Sequence, residues 1–460
     1  LKLRHFRAGS ARRRFFVFGL IDLAWYNFIN VLHDPGIDTI FLFAGEGESL
    51  WYGQIVNWID KLARIKYDNA MYIERILAKQ LKDSAAAFPV VALTGPRQSG
   101  KTTLVRHTFP QKKYVTLEDL DTRAFAQKDP RGFLNTYGTG AILDEVQRVP
   151  ELFSYLQGIV DEAKHAGQFI LTGSQNFLLH EGIIQTLAGR VAMHTLLPFS
   201  IAELQRAGAL PKTSREYLFQ GTYPRIYDDR VSPRTWYANY LLTYVERDVR
   251  QVKNVSDLGA FQQFLKMCAG RIGSLLNLSS LAHDCGITHN TARAWLSVLE
   301  ASFVVFLLRP HHRNFNKRLV KMPKLYFYDT GIACALLGIE RTDQLETHPL
   351  TGGIFESMVV AELIRGRLNR GRAPNIYFWR DKSGHEVDCL IEDHQQLISV
   401  EIKAGRTMVE EYLDGLQYWR SLSGDRNIPF LVYGGTERQK RKDVHVIGWK
   451  HIPGILQDEL

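Results

Sequence analysis

Three short, unbroken apolar runs stand out in the first half of the chain: Val90 to Leu93, Ala141 to Leu143, and the Phe-Ile-Leu of "GQFILTGSQ". Runs of this length are expected of strands buried on both faces of a parallel sheet. Each ends in polar residues, at the strand end where ligands bind in such sheets. The stretch "MYIERILAKQLKDSAAAFPVVALTG", from Met71, reads as a helix leading into the first strand. A second pattern follows. Leu278, Leu281 and Ala282 fall at helical spacing, Gly286 allows a turn, Thr288 can cap, and Ala292, Trp295, Leu296 and Leu299 form an apolar stripe. With a wing-like strand at Phe303 to Leu308, this is a winged helix-turn-helix. Further on, Phe355, Met358, Val359 and Leu363 mark one helix face, and "NIYFWRDKSGHEVDCLIE" and "QLISVEIKAG" read as two strands joined by a turn. Alternation puts Ile398, Val400 and Ile402 on one face of the last strand, and Ser399, Glu401 and Lys403 on the other.

Composition narrows this a little. With 460 residues, 45% hydrophobic and 23% charged, the chain is globular and long enough for two or three domains. The formal charge of +9 suits a nucleic-acid partner, though an ordinary basic protein carries as much. Cys268, Cys285, Cys334 and Cys389 form no CxxC pair, which argues against a zinc site or disulfide scaffold and suits a reducing, cytoplasmic setting. Residues 1–70 differ. Arg12 to Arg14 precede "FFVFGLIDLAWYNFINVL", an anchor-like run that Asp22 and Asn27 interrupt and that is short of the ~20 residues a span needs. Met71 is a natural start, so 1–70 reads as an upstream extension or poorly packed appendage, with a membrane anchor as the alternative. No membrane partner is expected.

The strongest chemical signal is "LTGPRQSGKTTL". Gly95 to Thr102 has the G-x-x-x-x-G-K-[ST] spacing between a strand and a helix. The glycines let backbone N–H groups curl around phosphate oxygens at a helix N-terminus. Lys101 can reach the β- and γ-phosphates, and the Thr102 hydroxyl can ligate Mg²⁺; Thr103 belongs to the same nucleotide-binding set. Asp144, closing the second strand, is placed for the metal, and Glu145 to orient or deprotonate water. Ser174 is a candidate γ-phosphate sensor or a plain strand-ending turn. Arg190 is a candidate transition-state charge, in its own site or a neighbour's in a homo-oligomer, or else a surface arginine.

Near the other end, Glu386 and Asp388 precede the run ending in Glu401-Ile402-Lys403. Asp388 can sit beside Glu401 across the ladder. Two carboxylates and a backbone carbonyl can hold Mg²⁺ or Mn²⁺, and Lys403 can orient or deprotonate water. A solvated hairpin accepts the Glu and Lys by charge pairing alone. In the middle, His289, Asn290, Arg293 and Ser297 face outward as candidate DNA contacts, although such units in ATPases are often structural. The basic "HHRNFNKRLVKMPK" that follows adds to the DNA reading or is a solvated loop.

In order along the chain, "LTGPRQSGKTTL…LDEVQ…LTGSQ…LAGRV…LLPFSIAEL…YVERD" resembles the AAA-type ATPases of bacteria and archaea that carry a C-terminal nuclease-like domain. The resemblance runs from Met71 to the C-terminus and includes the "YVERDV" signature, Tyr244 to Val249. It implies ATP binding at Gly95, Gly100, Lys101 and Thr102, with Asp144 and Glu145 as the Mg²⁺ and water residues. The C-terminal spacing is similar to the PD-(D/E)xK nuclease core, which carries nuclease-site positions over to Glu356, Asp388, Glu401 and Lys403. The expected fold is thus α/β: a P-loop ATPase core (71–200), a helical lid (201–255), a winged helix-turn-helix segment (256–325), and a restriction-endonuclease-like domain (326–460). The expected function is ATP hydrolysis coupled to DNA processing with Mg²⁺-dependent cleavage. The alternative is a nucleotide-dependent switch or scaffold that binds DNA or a protein without cutting.

Overall fold

The computed structural model describes residues 16–17, 40–41 and 72–456, apart from 164, 175–185, 229–230, 245–254, 256, 312–319, 394–395, 425–426 and 442. Most of the expected 1–70 extension therefore lies outside the described residues, as do 245–249 of the "YVERDV" stretch and 312–319 of the basic run. Within the first unit, Leu1–Tyr72, strands β1 (Phe16–Val17) and β2 (Ile40–Phe41) pair in parallel. The second unit is Ile73–Leu460.

Its first sheet holds β3 (Val90–Thr94), β4 (Lys113–Thr116), β5 (Ala141–Asp144), β6 (Phe169–Thr172) and β7 (Val191–Thr195). All neighbours are parallel, in the order β4-β5-β6-β3-β7. The apolar runs are continuous because successive side chains serve two cores. Val90, Ala92, Ala141, Leu143, Phe169 and Leu171 pack on one side, and Val91, Leu93, Ile142 and Ile170 on the other. The chain leaves β3 for the far edge at β4 and returns through β5 and β6. It then crosses to the other side of β3 at β7. That reversal leaves the carboxyl end of β3 as the crevice of the sheet.

In the middle, helices Leu278–Asp284 and His289–Ala301 are capped by the side chains of Asn277 and Thr288, and Gly286 turns between them at φ +67°. The Ala292, Trp295, Leu296 and Leu299 stripe is buried. Strands β8 (Val305–Leu308) and β9 (Lys324–Phe327) then pair antiparallel, so β9 runs across position 325.

The second sheet comprises β10 (Ile376–Arg380), β11 (Glu386–Asp393), β12 (Gln396–Lys403), β13 (Phe430–Tyr433), β14 (Arg438–Arg441) and β15 (Val444–Gly448). It is mixed, in the order β10-β11-β12-β13-β15-β14. Helix Thr351–Leu368 shares a core with Cys389, Ile391, Val400, Ile402 and Val432. Trp419, on helix Asp414–Ser423, packs with Trp379, Val387 and Leu390 instead. Helix Thr351–Leu368 buries far more than one stripe: Ile354, Phe355, Met358, Val359, Val360, Ala361 and Leu363 are all inside, as expected of a helix enclosed on every side. Among the described residues, no helix is long and apolar enough to cross a membrane.

Candidate functional site

At the carboxyl end of β3, the loop from Gly95 to Gly100 turns into helix Lys101–Thr108. Gly95 has φ +145°, and a Cβ there would lie 2.1 Å from the Leu196 carbonyl oxygen of the neighbouring strand end. Only glycine lets β3 and β7 close around this loop. The Lys101 amine donates to the carbonyls of Gly95 (2.9 Å) and Pro96 (2.8 Å), inside the loop's own curve. The Ser99 hydroxyl is buried with no hydrogen-bond partner, a polar group on a phosphate-binding loop that a phosphate oxygen would satisfy. Thr103, on the same helix, is half-buried.

Asp144, at the end of β5, ties together β4, β6 and the helix that follows the loop. Its Oδ2 accepts from the Thr102 hydroxyl (3.0 Å) and the Tyr114 hydroxyl (2.7 Å), and its Oδ1 accepts from Thr172. The paired Thr102 and Asp144 oxygens are a hard donor set of the kind Mg²⁺ takes. Burial, reinforced by the Asp144 carboxylate, pushes the Tyr114 hydroxyl well above its usual range. Glu145 stands in the left-handed region at φ +56°, a conformation costly for a residue with a Cβ. It turns the carboxylate toward β6, where Glu145 Oε2 accepts from Ser174 Oγ (3.0 Å) and Gln147 Nε2 (2.5 Å). Lys101, Thr102, Asp144, Glu145 and Ser174 thus share one sheet edge. Arg190 does not. It immediately precedes β7, its carbonyl accepts from the Val90 N–H, and its guanidinium is forked onto Asp161 at 2.5 and 2.8 Å. In a parallel sheet that is the amino end, opposite the loop, so the transition-state role does not fit this chain's own site.

Sequence reasoning passed over Arg75 of "MYIER". Its buried guanidinium donates to Glu203 Oε1 (3.0 Å), the Ser99 carbonyl (2.8 Å) and the Leu197 carbonyl (2.5 Å). Glu203 in turn accepts from the Ile76 and Ser200 N–H groups, both at 2.9 Å. Next to Ser200, the Ile201 N–H donates to Glu362 (2.8 Å), which pairs with Arg365 (2.8 Å). A buried polar chain therefore runs from the phosphate-loop backbone to helix Thr351–Leu368.

That helix carries Glu356 into the second cluster. Cys389 lies opposite Val400, which sets Asp388 beside Glu401, and Asp388 Oδ2 accepts from the Ile402 N–H (2.8 Å). Lys403 Nζ is 2.5 Å from Glu401 Oε1 and 3.6 Å from Asp388 Oδ2. The four carried-over residues do come together, but not on a solvated face. Glu401 is buried, and its Oε2 has no hydrogen-bond partner. Burial, with Asp388 close by, pushes Glu356 up to about 7 and Glu401 up to about 8.

Three further residues join them. Lys324 of β9 places its ammonium 2.7 Å from Glu356 Oε1, against Glu386 Oε1, and 3.9 Å from Asp388 Oδ1. Tyr326 donates to Glu356 Oε1 (2.5 Å). Burial works against the Lys324 charge, but Glu356, Asp388 and Glu386 outweigh it and hold its pKa above the ordinary lysine value. Glu356, Glu386 and Asp388 offer oxygens within 4.8 Å of one another, close enough to hold a metal ion. With a buried ammonium already among them, the arrangement does not fit Mg²⁺ or Mn²⁺. Nothing in "KMPKLYFYD" announces this; Lys324 arrives through the pairing of β9. On the helix-turn-helix, His289, Asn290 and Arg293 are exposed.

Residues 87–205 match the model of an AAA domain. Residues 211–343 and 351–452 match two domains described as of unknown function, DUF8612 and DUF4143. Among solved structures, the Walker-type ATPase of Pyrococcus abyssi is 17% identical, with a TM-score of 0.40 over 58% of this chain and 96% of that one. The uncharacterized proteins Rv2008c of Mycobacterium tuberculosis and Mb2031c of Mycobacterium bovis are each 31% identical over 348 residues, covering 74% of this chain and 76% of theirs. On that identity and coverage, this chain with its AAA domain belongs to the family of these mycobacterial proteins.

Proposed function

We propose that this protein is an ATP-hydrolysing machine whose nucleotide cycle is coupled to the handling of DNA. The observation that carries the first half is the convergence of Lys101, Thr102, Asp144, Glu145 and Ser174 on one sheet edge. Lys101 exchanges its two loop carbonyls for the β- and γ-phosphate oxygens. Thr102 and Asp144 would hold Mg²⁺, which neutralises charge building on the phosphates. Glu145 accepts the proton of the attacking water. Ser174 holds that carboxylate through a hydrogen bond and registers the γ-phosphate. ATP turnover should vanish in Lys101→Ala; turnover that survives there removes the assignment.

The DNA half is supported by the formal charge of +9 and by exposed His289, Asn290 and Arg293 on the second helix of the helix-turn-helix. Phosphate contacts release counterions, so binding should fall steeply with salt. Arg293→Ala should reduce that salt slope by about one if it contacts a phosphate. For the C-terminal centre, the reading without cleavage has a specific observation in its favour, the Lys324 ammonium among the carboxylates. Incubation of supercoiled plasmid with wild type and Asp388→Ala, with Mg²⁺ or Mn²⁺, separates the two. Cutting by wild type alone restores the nuclease reading.

A further inference from the structure

The geometry points to Lys324 as the resident cation of the C-terminal carboxylate centre, a built-in ammonium that competes with divalent metal for Glu356, Glu386 and Asp388. This goes beyond the ATPase reading and does not depend on it. Three features support it. The ammonium is fixed by backbone: Lys324 opens β9, opposite Leu308 of β8, and makes a further bridge to Leu275. Its side chain is 4% exposed, and the ammonium lies 5.6 Å from the centre of the Phe378 ring, so it is held inside the domain and away from solvent. And its partners come from two elements: Glu356 from helix Thr351–Leu368, and Glu386 and Asp388 from β11, with Arg380 of the flanking β10 donating to Glu386 Oε2 at 2.8 Å.

A divalent ion needs oxygen ligands at about 2.0–2.6 Å, and an ammonium seated on the same oxygens stands where that ion would bind. The three residues that would supply those oxygens are the ones Lys324 already engages. The two occupants are therefore alternatives, and in the metal-free chain Lys324 joins Arg380 and Lys403 in balancing these carboxylates. Lys403 stands in the same relation to Glu401 and Asp388 on the adjoining side, so this part of the domain supplies its own cations throughout.

The test is Mn²⁺ binding to the full, nucleotide-free chain, read by titration calorimetry and by the shift in melting temperature. Wild type should show no Mn²⁺ site that Asp388→Asn removes. Lys324→Met should gain one site at least tenfold tighter than any in wild type, melt higher when Mn²⁺ is added, and lose both properties on adding Asp388→Asn. If Lys324→Met alone does not fold, Lys324→Met/Glu356→Gln removes one charge of each sign and keeps Glu386 and Asp388; it too should bind Mn²⁺ more tightly than wild type. An Asp388-dependent site of equal affinity in wild type and Lys324→Met would overturn the competition. So would a folded Lys324 variant with no gain in binding.

Discussion

Replacing Arg75 with alanine isolates the buried polar chain behind the phosphate loop. The guanidinium side chain is 3% exposed, and its partner Glu203 is completely buried. Arg75→Ala leaves the Glu203 carboxylate with hydrogen bonds from Ile76, Ser200 and the Ser200 hydroxyl (3.1 Å) but without its counter-charge. It also frees the Ser99 and Leu197 carbonyls. Three charged hydrogen bonds at roughly 1.5–3 kcal/mol each set a ceiling of about 4.5–9 kcal/mol. Water entering the vacated space recovers part of that, and breaking one side of a buried pair costs about 3–5 kcal/mol. We expect a loss in that range in urea unfolding followed by tryptophan fluorescence, with faster hydrogen exchange in the phosphate loop. Glu203→Gln in the Arg75→Ala background should cost little more, giving a double-mutant coupling above about 1 kcal/mol. Effects that add within about 0.5 kcal/mol, the behaviour of independent sites, would refute the pairing as the source of stability.

Three other expectations follow from the same geometry. Gly95→Ala would drive a methyl group into the Leu196 carbonyl at a φ of +145°, so it should weaken ATP binding and lower the melting temperature, whereas Gly158→Ala, where a Cβ meets nothing within 4 Å, should not. Glu145→Gln should retain ATP binding and lose turnover by at least about 100-fold, in line with the loss of a general base; a smaller loss would leave the water-activating role elsewhere. The raised pKa values of Glu356 and Glu401 mean that the folded chain keeps protons which the unfolded chain, with an ordinary carboxyl near 4.5, has released. Their stabilising contribution is complete below that value and is lost as the pH rises through about 7 and 8, so wild type should lose stability between pH 5 and 8.5 relative to Glu401→Gln, as read by paired melting curves.

The phosphate loop was legible because its chemistry is local. The glycines, Lys101 and Thr102 lie within eight consecutive residues, and the buried strand before them and the helix after them leave characteristic runs of side chains. The strand ends at Asp144 and Ser174 could be named for a related reason: in a parallel sheet, the register of three strands brings their carboxyl ends to one edge without further information. The direction of Glu145 could not be named, since a left-handed φ on a non-glycine residue leaves no mark in the pattern. Tyr114 was missed because its role arises only from the order of the strands, which puts β4 beside β5.

By itself, then, the amino-acid order determined three of the strands and the parallel character of the first sheet, the two capped helices around Gly286, and the residues of both candidate centres that sit on one strand or one loop. Only the tertiary structure decided what surrounds those residues. It put Arg190 at the wrong end of the sheet for its own loop, buried the Glu401 face that alternation alone left open to solvent, and linked Arg75 to Glu362 across 287 positions of sequence through Glu203 and the Ile201 N–H. It also carried Lys324 from one sheet into the carboxylates of another. The reason is physical. Periodicity records which side of an element is apolar, but a buried charge is set by the partner it meets, and that partner is chosen when elements far apart in the chain pack together.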